Sequence, residues 1–262
     1  MKEIRLFIHG NYINSSNNAT FENINPANQE IISNVHIANE IDVQKAVDSS
    51  IEGYQEWSKF SSIERSKVLL KTANILNARN DELAKLETLD TGKAIQESLE
   101  VDIKLSADSF EYYAGIAPTI SGEHIYYNNS FSYSRREPLG VCAGIGAWNY
   151  PLQVASWKIA PALACGNSVI FKPAELTPTT TAILGEILIE AGLPKGALNI
   201  IQGDGYIGSL LSKHHQIAKV SLTGEIATGK KVMADASSNL KNITLELGGK
   251  SPLIVFEDAD ID

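Results

Sequence analysis

Short apolar runs alternate with amphipathic helical stretches from residue 139 onward, and this rhythm constrains the fold more than any other feature of the sequence. Strands that alternate with helices form parallel sheets with right-handed crossovers. We therefore predict an α/β fold built on a doubly wound parallel sheet. The predicted strands are Val141–Ile145, Ser168–Phe171, Leu198–Ile201, Lys219–Leu222, Ile243–Leu247 and Leu253–Phe256. The predicted helices between them are Leu152–Ala164, Thr179–Ala191, Gly205–Lys213 and Gly229–Ser237.

The first half of the chain predicts a separate group of elements. Short extended pieces come first, and helices follow, two of them opened by the capping signals at Asn39 and at Ser61 with Glu64. Asn128-Asn129 then predicts the turn of an aromatic β-hairpin. The extended pieces are Ile4–His9, Thr20–Ile24 and Ile31–His36, the later helices are Asp81–Leu89 and Ala94–Ile116, and the hairpin arms are His124–Tyr127 and Phe131–Arg136.

Composition excludes several classes of protein. The chain has 22 Lys and Arg against 31 Asp and Glu, a net charge of −9, which argues against nucleic acid as the main partner. It has no run of 18 apolar residues, so we predict no membrane span, and its first ten residues lack a signal-peptide pattern. Cys142 and Cys165 form neither a zinc pattern nor a disulfide framework, so we expect buried structural thiols and a cytoplasmic location.

The first strand of the predicted sheet ends in a glycine-containing turn. Pro151 suits the first position of the following helix, so Asn149 lies near a helix N-terminus. The Asn149 amide and nearby backbone N–H groups are suited to stabilise an oxyanion. The alternative is a plain helix-capping asparagine, which the residues alone favour.

Lys172 and Glu175 follow the second predicted strand. Ligands bind at the carboxyl ends of parallel strands, where a lysine and a glutamate can hold the hydroxyls of a nucleotide ribose. The alternative is a surface salt bridge, which is the more common meaning of an isolated pair of this kind.

Two glycine-rich turns join later strands to helices. Segment 203–208 matches G-x-G-x-x-G, which by itself weakly predicts a pyrophosphate loop. Gly224 and Gly229 bound the second turn, and helix N-termini bind anions. This second turn resembles the phosphate loop of nucleotide triphosphatases only loosely. Lys231 stands where that loop requires Ser or Thr, which argues against such an enzyme.

Glu246 lies inside an apolar strand, where a carboxylate is costly unless it has a function. We expect it to be buried and to act as a general base. The alternative is a structural glutamate paired with Lys158 or Lys250.

Four motifs together resemble the NAD(P)-dependent aldehyde dehydrogenase superfamily. They occur in the order and spacing of that family, and the resemblance spans the whole chain. Within the family, the sequence is most similar to the betaine aldehyde dehydrogenase branch. The motifs are Ala147-Trp-Asn-Tyr-Pro-Leu152, Lys172-Pro-Ala-Glu175, Thr223-Gly224 with Gly229, and Glu246-Leu-Gly-Gly-Lys-Ser-Pro252.

The resemblance implies a Rossmann-like NAD-binding domain and a role for each matching residue. Asn149 would be the oxyanion-hole amide, Glu246 the base that activates the hydrolytic water, and Lys158 a residue that pairs with or orients catalytic groups. Lys172 and Glu175 would bind the adenosine ribose, and Glu175 would favour NAD over NADP. The other residues implied at the cofactor are Gly146, Ala147, Trp148, Pro173, Ala174, Gly203, Gly224, Glu225, Ile226, Ala227, Gly229, Leu247 and Gly248.

The resemblance also implies an unusual placement of the cofactor. Segment 203–208 would lie beside the adenine, segment 224–229 beside the pyrophosphate, and segment 247–248 near the nicotinamide. Glu225 departs from the family, because many relatives carry a small residue there. An acid beside a pyrophosphate is unfavourable unless it points away.

A metal site and a domain layout are further implications of the resemblance. In this branch the Ile24 carbonyl and Asp102 match positions at a potassium site. An exposed aromatic hairpin is an edge that proteins cover, so we expect a homodimer or homotetramer. The expected layout is an NAD-binding domain of residues 1–123 and 138–250, an oligomerisation hairpin of residues 124–137, and the start of a catalytic domain at residues 251–262.

The nucleophilic cysteine of the family lies some tens of residues beyond the Glu246 motif, in a second domain. Neither Cys142 nor Cys165 matches its context, so we expect these 262 residues to be part of a longer enzyme and inactive alone. The alternatives are a non-catalytic nucleotide-binding or structural protein with this fold, and a relative that uses coenzyme A in place of water. The presence of Asn149 and Glu246 argues against the first, and Glu246 argues against the second.

Tyr150 and Trp157 stand seven residues apart, which predicts one shared face on the helix opened by Pro151. Aromatic faces attract cations and recognise quaternary ammonium groups, so the pair suits a trimethylammonium aldehyde. Core packing is an equally good interpretation of the two residues. The resemblance favours betaine aldehyde, oxidised to glycine betaine, and another aminoaldehyde is the alternative.

Overall fold

A seven-stranded sheet forms the centre of the structure, a computed structural model that describes residues 2–260. Residues 1, 261 and 262, at the ends of the predicted domain segments, lie outside the described residues. The strands are β1 (Lys2–Ile4), β2 (Leu6–Ile8), β3 (Asn11–Ile13), β4 (Thr20–Ile24), β5 (Ile31–His36), β6 (His124–Tyr127), β7 (Ser130–Tyr133), β8 (Val141–Ile145), β9 (Ser168–Lys172), β10 (Leu198–Ile200), β11 (Lys219–Gly224) and β12 (Asn242–Leu247).

The helices flank this sheet, and each predicted cap is present. Asn39 and Ser61 each accept hydrogen bonds from the first turn of their helix, and each forms a complete capping box. A π-helical turn over Ser98–Asp102 precedes the fifth helix. The α-helices are α1 (Glu40–Trp57), α2 (Ser62–Ala78), α3 (Asn80–Thr91), α4 (Ile95–Glu97), α5 (Ile103–Ile116), α6 (Pro151–Ala164), α7 (Thr179–Ala191), α8 (Gly205–Lys213) and α9 (Ile226–Ala236).

The strand order of the central sheet is β12-β11-β8-β9-β10-β2-β3. The five strands from β12 to β10 are parallel, and β2 and β3 extend the sheet with antiparallel pairs. The chain runs outward from β8 to β10 and then returns to the other side of β8 at β11. In such a sheet the ligand crevice lies at this reversal, outside the carboxyl ends of β8 and β11.

Two separate hydrophobic layers cover the two faces of the sheet, which confirms the doubly wound architecture. Side chains alternate along β9, so Val169 and Phe171 pack into the layer built from α2, α5, α6 and α7. Ile170 packs into the opposite layer, with α1, α8 and α9. All three side chains are buried, which explains why the strand reads as a continuous apolar run.

Several predicted elements differ from the structure. The predicted strand Leu253–Phe256 is wrong: these residues form no strand, and their side chains are exposed. A strand needs a neighbour for its backbone hydrogen bonds, and none lies beside this run within residues 2–260. The predicted helix Ala94–Ile116 is interrupted by the π-turn, and α9 begins three residues before the predicted Gly229.

The hairpin β6–β7 forms at the predicted turn, with the pairs His124–Tyr133 and Tyr127–Ser130 at its ends. Its second strand is Ser130–Tyr133, three residues shorter at its end than the predicted arm Phe131–Arg136. All eight residues of its two strands are exposed. No helix among the described residues is both long enough and apolar enough to cross a membrane.

Candidate active site

A cleft of about 1040 Å³ opens at the carboxyl ends of β8, β11 and β12, where the strand order places the crevice. The turns after β8, β9 and β11 and the end of β12 all contribute to its wall. The predicted site residues that line it are Gly146, Ala147, Trp148, Asn149, Trp157, Lys172, Ala174, Glu175, Gly224, Glu225, Glu246, Leu247 and Gly248.

Asn149 precedes α6 by two residues, and its side chain is exposed to the cleft. The N-cap residue is Tyr150, not Asn149, and no side chain caps the helix from that position. Among the described residues no group forms a hydrogen bond with the Asn149 amide. The amide donors are therefore free to meet a ligand, and the interpretation of Asn149 as a plain capping residue is wrong.

Lys172 and Glu175 lie together at the end of β9. The alternative interpretation as a surface salt bridge is wrong, because Lys172 is buried. Lys172 is buried, and its Nζ donates to the carbonyls of Pro173 at 2.8 Å and Gly203 at 2.6 Å. Its distance to Glu175 Oε2 is 3.6 Å, and the glutamate is half exposed at the rim of the cleft. Burial lowers the pKa of Lys172. Lys172 thus holds two loops together and orients the carboxylate toward the cleft.

The two glycine-rich turns have different structures. Gly203 has a φ of +149°, which favours glycine, and its carbonyl meets Lys172 behind the wall of the cleft. In the second turn α9 begins at Ile226, so Gly229 lies within its first turn, with Ala227 between them. A Cβ at Gly229 would stand 2.9 Å from Leu247 Cδ2. Gly229 therefore allows α9 to pack against β12.

Glu225 occupies the N-cap position of α9, and its side chain is exposed. It does not cap the helix backbone, and its Oε1 lies 3.4 Å from Thr228 Oγ1. Glu225 is one of the residues that line the cleft.

Glu246 is exposed, so the predicted burial of this residue is wrong. Side chains alternate along β12, and Asn242, Thr244 and Glu246, which share one face, are all exposed. Within residues 2–260, neither Lys158 nor Lys250 forms an ion pair with Glu246. Glu246 thus lines the cleft and forms no hydrogen bond or ion pair among the described residues, although its charge acts on Lys158.

Lys158 lies on α6 beside a second cavity of about 640 Å³, on the α6 side of the sheet. The side chain is buried, and its Nζ donates to Ser221 Oγ at 3.1 Å. Burial lowers the pKa of Lys158 to about 8, and the charge of Glu246 partly opposes that shift. The Lys158 ammonium group therefore loses its proton only slightly above neutral pH, and its charge interacts with that of the Glu246 carboxylate.

Tyr150 and Trp157 do not share one face of α6. Trp157 is half exposed and lines the cleft, whereas Tyr150 precedes the helix. The Tyr150 hydroxyl donates to Glu97 Oε1 at 2.9 Å, and Lys93 Nζ lies 3.7 Å from the centroid of its ring. The spacing of seven residues assumed that both positions were helical, and that assumption fails at Tyr150.

The two cysteines differ in exposure. Cys142 is buried in β8, where burial raises the pKa of its thiol to about 12. Cys165 is exposed because α6 ends there at the surface, so its predicted burial is wrong. Desolvation also raises the pKa of Cys165. Neither thiol has the lowered pKa of an activated nucleophile.

Asp102 and Ile24 are the residues at which the resemblance implies potassium. Asp102 is fully buried, and its Oδ2 accepts a hydrogen bond from Lys93 Nζ at 2.7 Å. Its Oδ1 has no partner among the described residues, so one buried oxygen is available to a cation. No group of three or more His, Cys, Asp or Glu side chains in residues 2–260 is arranged to hold a metal. The potassium site stays a prediction.

Sequence reasoning missed the residues behind the cleft that hold its parts in place. Glu87, Lys93 and Glu97 contact the turn that carries Asn149, although they are 52 to 62 residues away in the chain. The one available signal was the position of Glu87 on the buried face of its helix, four residues after Leu83. That position does not show which distant group the carboxyl contacts.

Comparison with known proteins identifies the family. A family model described as the aldehyde dehydrogenase family matches residues 12–262. The chain therefore belongs to the aldehyde dehydrogenase family, as its motifs predicted.

Solved structures of this family superimpose closely on the chain. The NAD+ complex of aldehyde dehydrogenase from Bacillus cereus is 38% identical, with a TM-score of 0.94, and the match covers 99% of this chain and 54% of that one. A point mutant of betaine aldehyde dehydrogenase from Staphylococcus aureus, in complex with NAD+, is 42% identical, with a TM-score of 0.93 and the same coverage. Indole-3-acetaldehyde dehydrogenase in its apo form is 37% identical, with a TM-score of 0.94, and the match covers 99% of this chain and 61% of that one. The chain thus spans little more than half the length of these proteins.

Proposed function

We propose that this chain supplies the cofactor site and the oxyanion donor of an NAD-dependent aldehyde dehydrogenase, which oxidises an aldehyde to a carboxylic acid. The single observation that carries the proposal is the convergence of Asn149, Glu175 and Glu246 on one cleft at the sheet reversal. Membership of the family and two NAD+ complexes among the similar structures support it.

The cleft fits a dinucleotide. A Cβ at Gly248 would meet no atom within 4 Å, and one at Gly224 would meet only the Leu222 side chain. The backbone there is therefore open to close approach by a ligand. Glu175 offers its carboxylate to ribose hydroxyls at the other end of the cleft, and the N-terminus of α9 faces the space between. When bound, the nicotinamide supplies the hydride acceptor.

The residues of the chain have separate tasks in the proposed reaction. A cysteine thiolate from outside these residues would attack the aldehyde carbon, and Asn149 would donate a hydrogen bond to the oxygen as it becomes negative. Loss of a hydride from the resulting thiohemiacetal would leave a thioester. Glu246 would then accept a proton from the water that hydrolyses this thioester to the carboxylic acid and the free thiol. Glu246 is exposed to the cleft, which leaves room for that water. The Lys158 ammonium group would stabilise the negative charge of the Glu246 carboxylate.

The test is steady-state and burst kinetics on the full-length enzyme. We expect Asn149→Ala to lower kcat by about 100- to 1000-fold and to leave NAD binding unchanged, because it removes only an oxyanion donor. Glu246→Gln should retain a burst of about one NADH per active site and lose turnover, because only thioester hydrolysis needs the base. A full-length protein that binds NAD and oxidises no aldehyde would instead support a non-catalytic nucleotide-binding role.

We propose betaine aldehyde as the substrate on the strength of Trp157, whose half-exposed ring lines the cleft. A trimethylammonium group has no N–H to donate, so an aromatic face recognises it better than a hydrogen-bond acceptor does. The Tyr150 ring already carries Lys93 on one face, so it is a weaker candidate for the same role. Similar structures include enzymes named for betaine aldehyde and for indole-3-acetaldehyde, and the substrate is therefore tested directly.

In the full-length enzyme, Trp157→Ala should raise KM for betaine aldehyde about fivefold to thirtyfold, the equivalent of about 1–2 kcal/mol for one cation–π contact. KM for a neutral aldehyde of similar size should change less than twofold. Trp157→Phe is the matched control, because it keeps an aromatic face and should retain most of the affinity. An equal loss for both aldehydes would make Trp157 a packing residue.

A further inference from the structure

The helix that follows Asn149 has no cap of its own. Tyr150 is its N-cap residue and makes no side-chain cap hydrogen bond, and Pro151 has no N–H to offer. The first N–H of α6 is therefore that of Leu152, three residues after Asn149. Leu152 N donates to Glu87 Oε1 at 3.2 Å, so a carboxyl group on α3 performs the capping.

Glu87 is held rigidly in this role. Its side chain is fully buried, and its other oxygen, Oε2, accepts a hydrogen bond from Thr180 Oγ1 on α7. One carboxyl group thus joins α3, α6 and α7 at the point where the turn with Asn149 enters α6. A buried side chain with both oxygens bonded has little freedom to move.

A second set of contacts holds the same turn from the same side. The Tyr150 hydroxyl donates to Glu97 Oε1 at 2.9 Å, and Lys93 Nζ stacks over the Tyr150 ring. Lys93 is in turn fixed by its 2.7 Å contact with Asp102. Tyr150 and Leu152, which follow Asn149 directly, are therefore both anchored to α3 and the helical turns that follow it.

We infer that Glu87 is a positioning residue, which sets the location of the Asn149 amide by capping α6 through the Leu152 N–H. The inference rests on the proposed function, because it concerns the oxyanion donor of that reaction. An oxyanion donor must lie within a few tenths of an ångström of its place, and a misplacement of 1 Å costs about 100-fold in rate. Glu87 is suited to supply that precision, because both of its oxygens are held by hydrogen bonds and its side chain is fully buried. It does not line the cleft, so it acts on the reaction only through the position of α6.

Both oxygens of Glu87 accept hydrogen bonds, Oε1 from the Leu152 N–H and Oε2 from the Thr180 hydroxyl. Leu152 N–H requires an acceptor, while the Thr180 hydroxyl can accept or donate. Burial raises the pKa of Glu87 to about 8, although both hydrogen bonds act to lower it. A glutamine keeps the length of the side chain, with an oxygen that accepts from the Leu152 N–H and an N–H that donates to the Thr180 hydroxyl, which can also accept. An aspartate is one methylene shorter and cannot span both Leu152 and Thr180.

This difference defines the experiment. Full-length wild type, Glu87→Gln and Glu87→Asp are compared at neutral pH with NAD and, in separate assays, betaine aldehyde and acetaldehyde. NAD affinity is measured by quenching of tryptophan fluorescence. Asp42→Asn is the matched control, because Asp42 is an equally buried carboxylate at the N-terminus of α1, away from the cleft.

We expect Glu87→Asp to lower kcat about tenfold to 100-fold, with KM for NAD and NAD affinity within twofold of wild type. Glu87→Gln should stay within threefold of wild type in kcat, and Asp42→Asn within twofold. The inference is overturned if Glu87→Asp retains wild-type kcat, or if Glu87→Gln is impaired as severely as Glu87→Asp.

Thr180→Val keeps the inference testable should Glu87→Asp not fold. It removes the hydroxyl that holds Oε2 and keeps the shape of the side chain, so kcat should fall several-fold with NAD affinity unchanged. An unchanged kcat in Thr180→Val would overturn the inference. Wild-type enzyme without any aldehyde oxidation would instead contradict the proposed function, which separates the two failures.

Discussion

Glu175 places one carboxylate at the rim of the cleft, 3.6 Å from the buried ammonium of Lys172. A carboxylate accepts hydrogen bonds from a ribose 2′-hydroxyl and repels a 2′-phosphate. We expect the full-length enzyme to prefer NAD over NADP, and Glu175→Gln to narrow that ratio of kcat/KM by about tenfold, the equivalent of about 1.4 kcal/mol.

Glu22→Gln is the control for this prediction, because Glu22 is an exposed carboxylate on β4 that does not line the cleft. Equal turnover of the unmodified enzyme with both cofactors would contradict the assigned role of Glu175. At the scale of single residues, residue types and spacing predicted most of the residues that line the cleft. The prediction that Tyr150 shares a helix face with Trp157 failed, because the backbone of Tyr150 is not helical and its ring lies against Lys93.

The contact between α3 and α6 gives the molecule a pH-dependent stability at the scale of elements. Burial, with smaller contributions from Asp102 and Asp90, raises the pKa of Glu87 from 4.5 to about 8. The folded protein therefore holds this proton more tightly than the unfolded chain. The stability contributed by protonated Glu87 is fully present below pH 4.5 and is lost as the pH rises through 8.

The glutamine of Glu87→Gln cannot titrate. The free energy of unfolding of wild type should therefore decrease relative to that of Glu87→Gln as the pH rises from 6 to 8. The difference in the free energy of unfolding between the two proteins should change by at most about 1.4 kcal/mol per pH unit, the value for the uptake of one proton. Urea unfolding at four or five pH values measures it. A difference between the two proteins that does not vary with pH would show that Glu87 is charged throughout this range.

Assembly is a question for the whole molecule. The hairpin β6–β7 exposes a cluster of large side chains, which are Ile125, Tyr126, Tyr127, Phe131 and Tyr133. An exposed patch of this kind is typical of an interface, so we expect the full-length protein to form a dimer or tetramer through it.

The double substitution Tyr126→Ser and Phe131→Ser should shift the full-length protein toward monomer in sedimentation velocity, because it removes two of the most exposed rings. Tyr112→Ser on α5 is the control, since this tyrosine is also exposed but lies outside the hairpin. The 262-residue chain should self-associate through the hairpin and the exposed run Leu253–Phe256. A monodisperse 28.4 kDa monomer would contradict that expectation.

The sequence by itself determined the elements and the sheet class, because their signals are local. Capping boxes, apolar periodicity and helix-stop glycines each act over a few residues, and the structure confirms both caps and all five strands from β8 to β12 within a few residues. Motif spacing identified the family for a related reason, since it depends only on order along the chain.

Tertiary structure alone decided which residues are buried and which distant groups meet. Burial of Glu246 and formation of a strand at Leu253–Phe256 depended on neighbouring segments, and within the described residues those neighbours are absent. The cap on α6 comes from Glu87, 65 residues before Leu152, and no local pattern encodes such a pair. Packing brings these groups together because burying apolar area on two sheet faces sets the positions of helices, and the contacts of single polar groups follow from those positions.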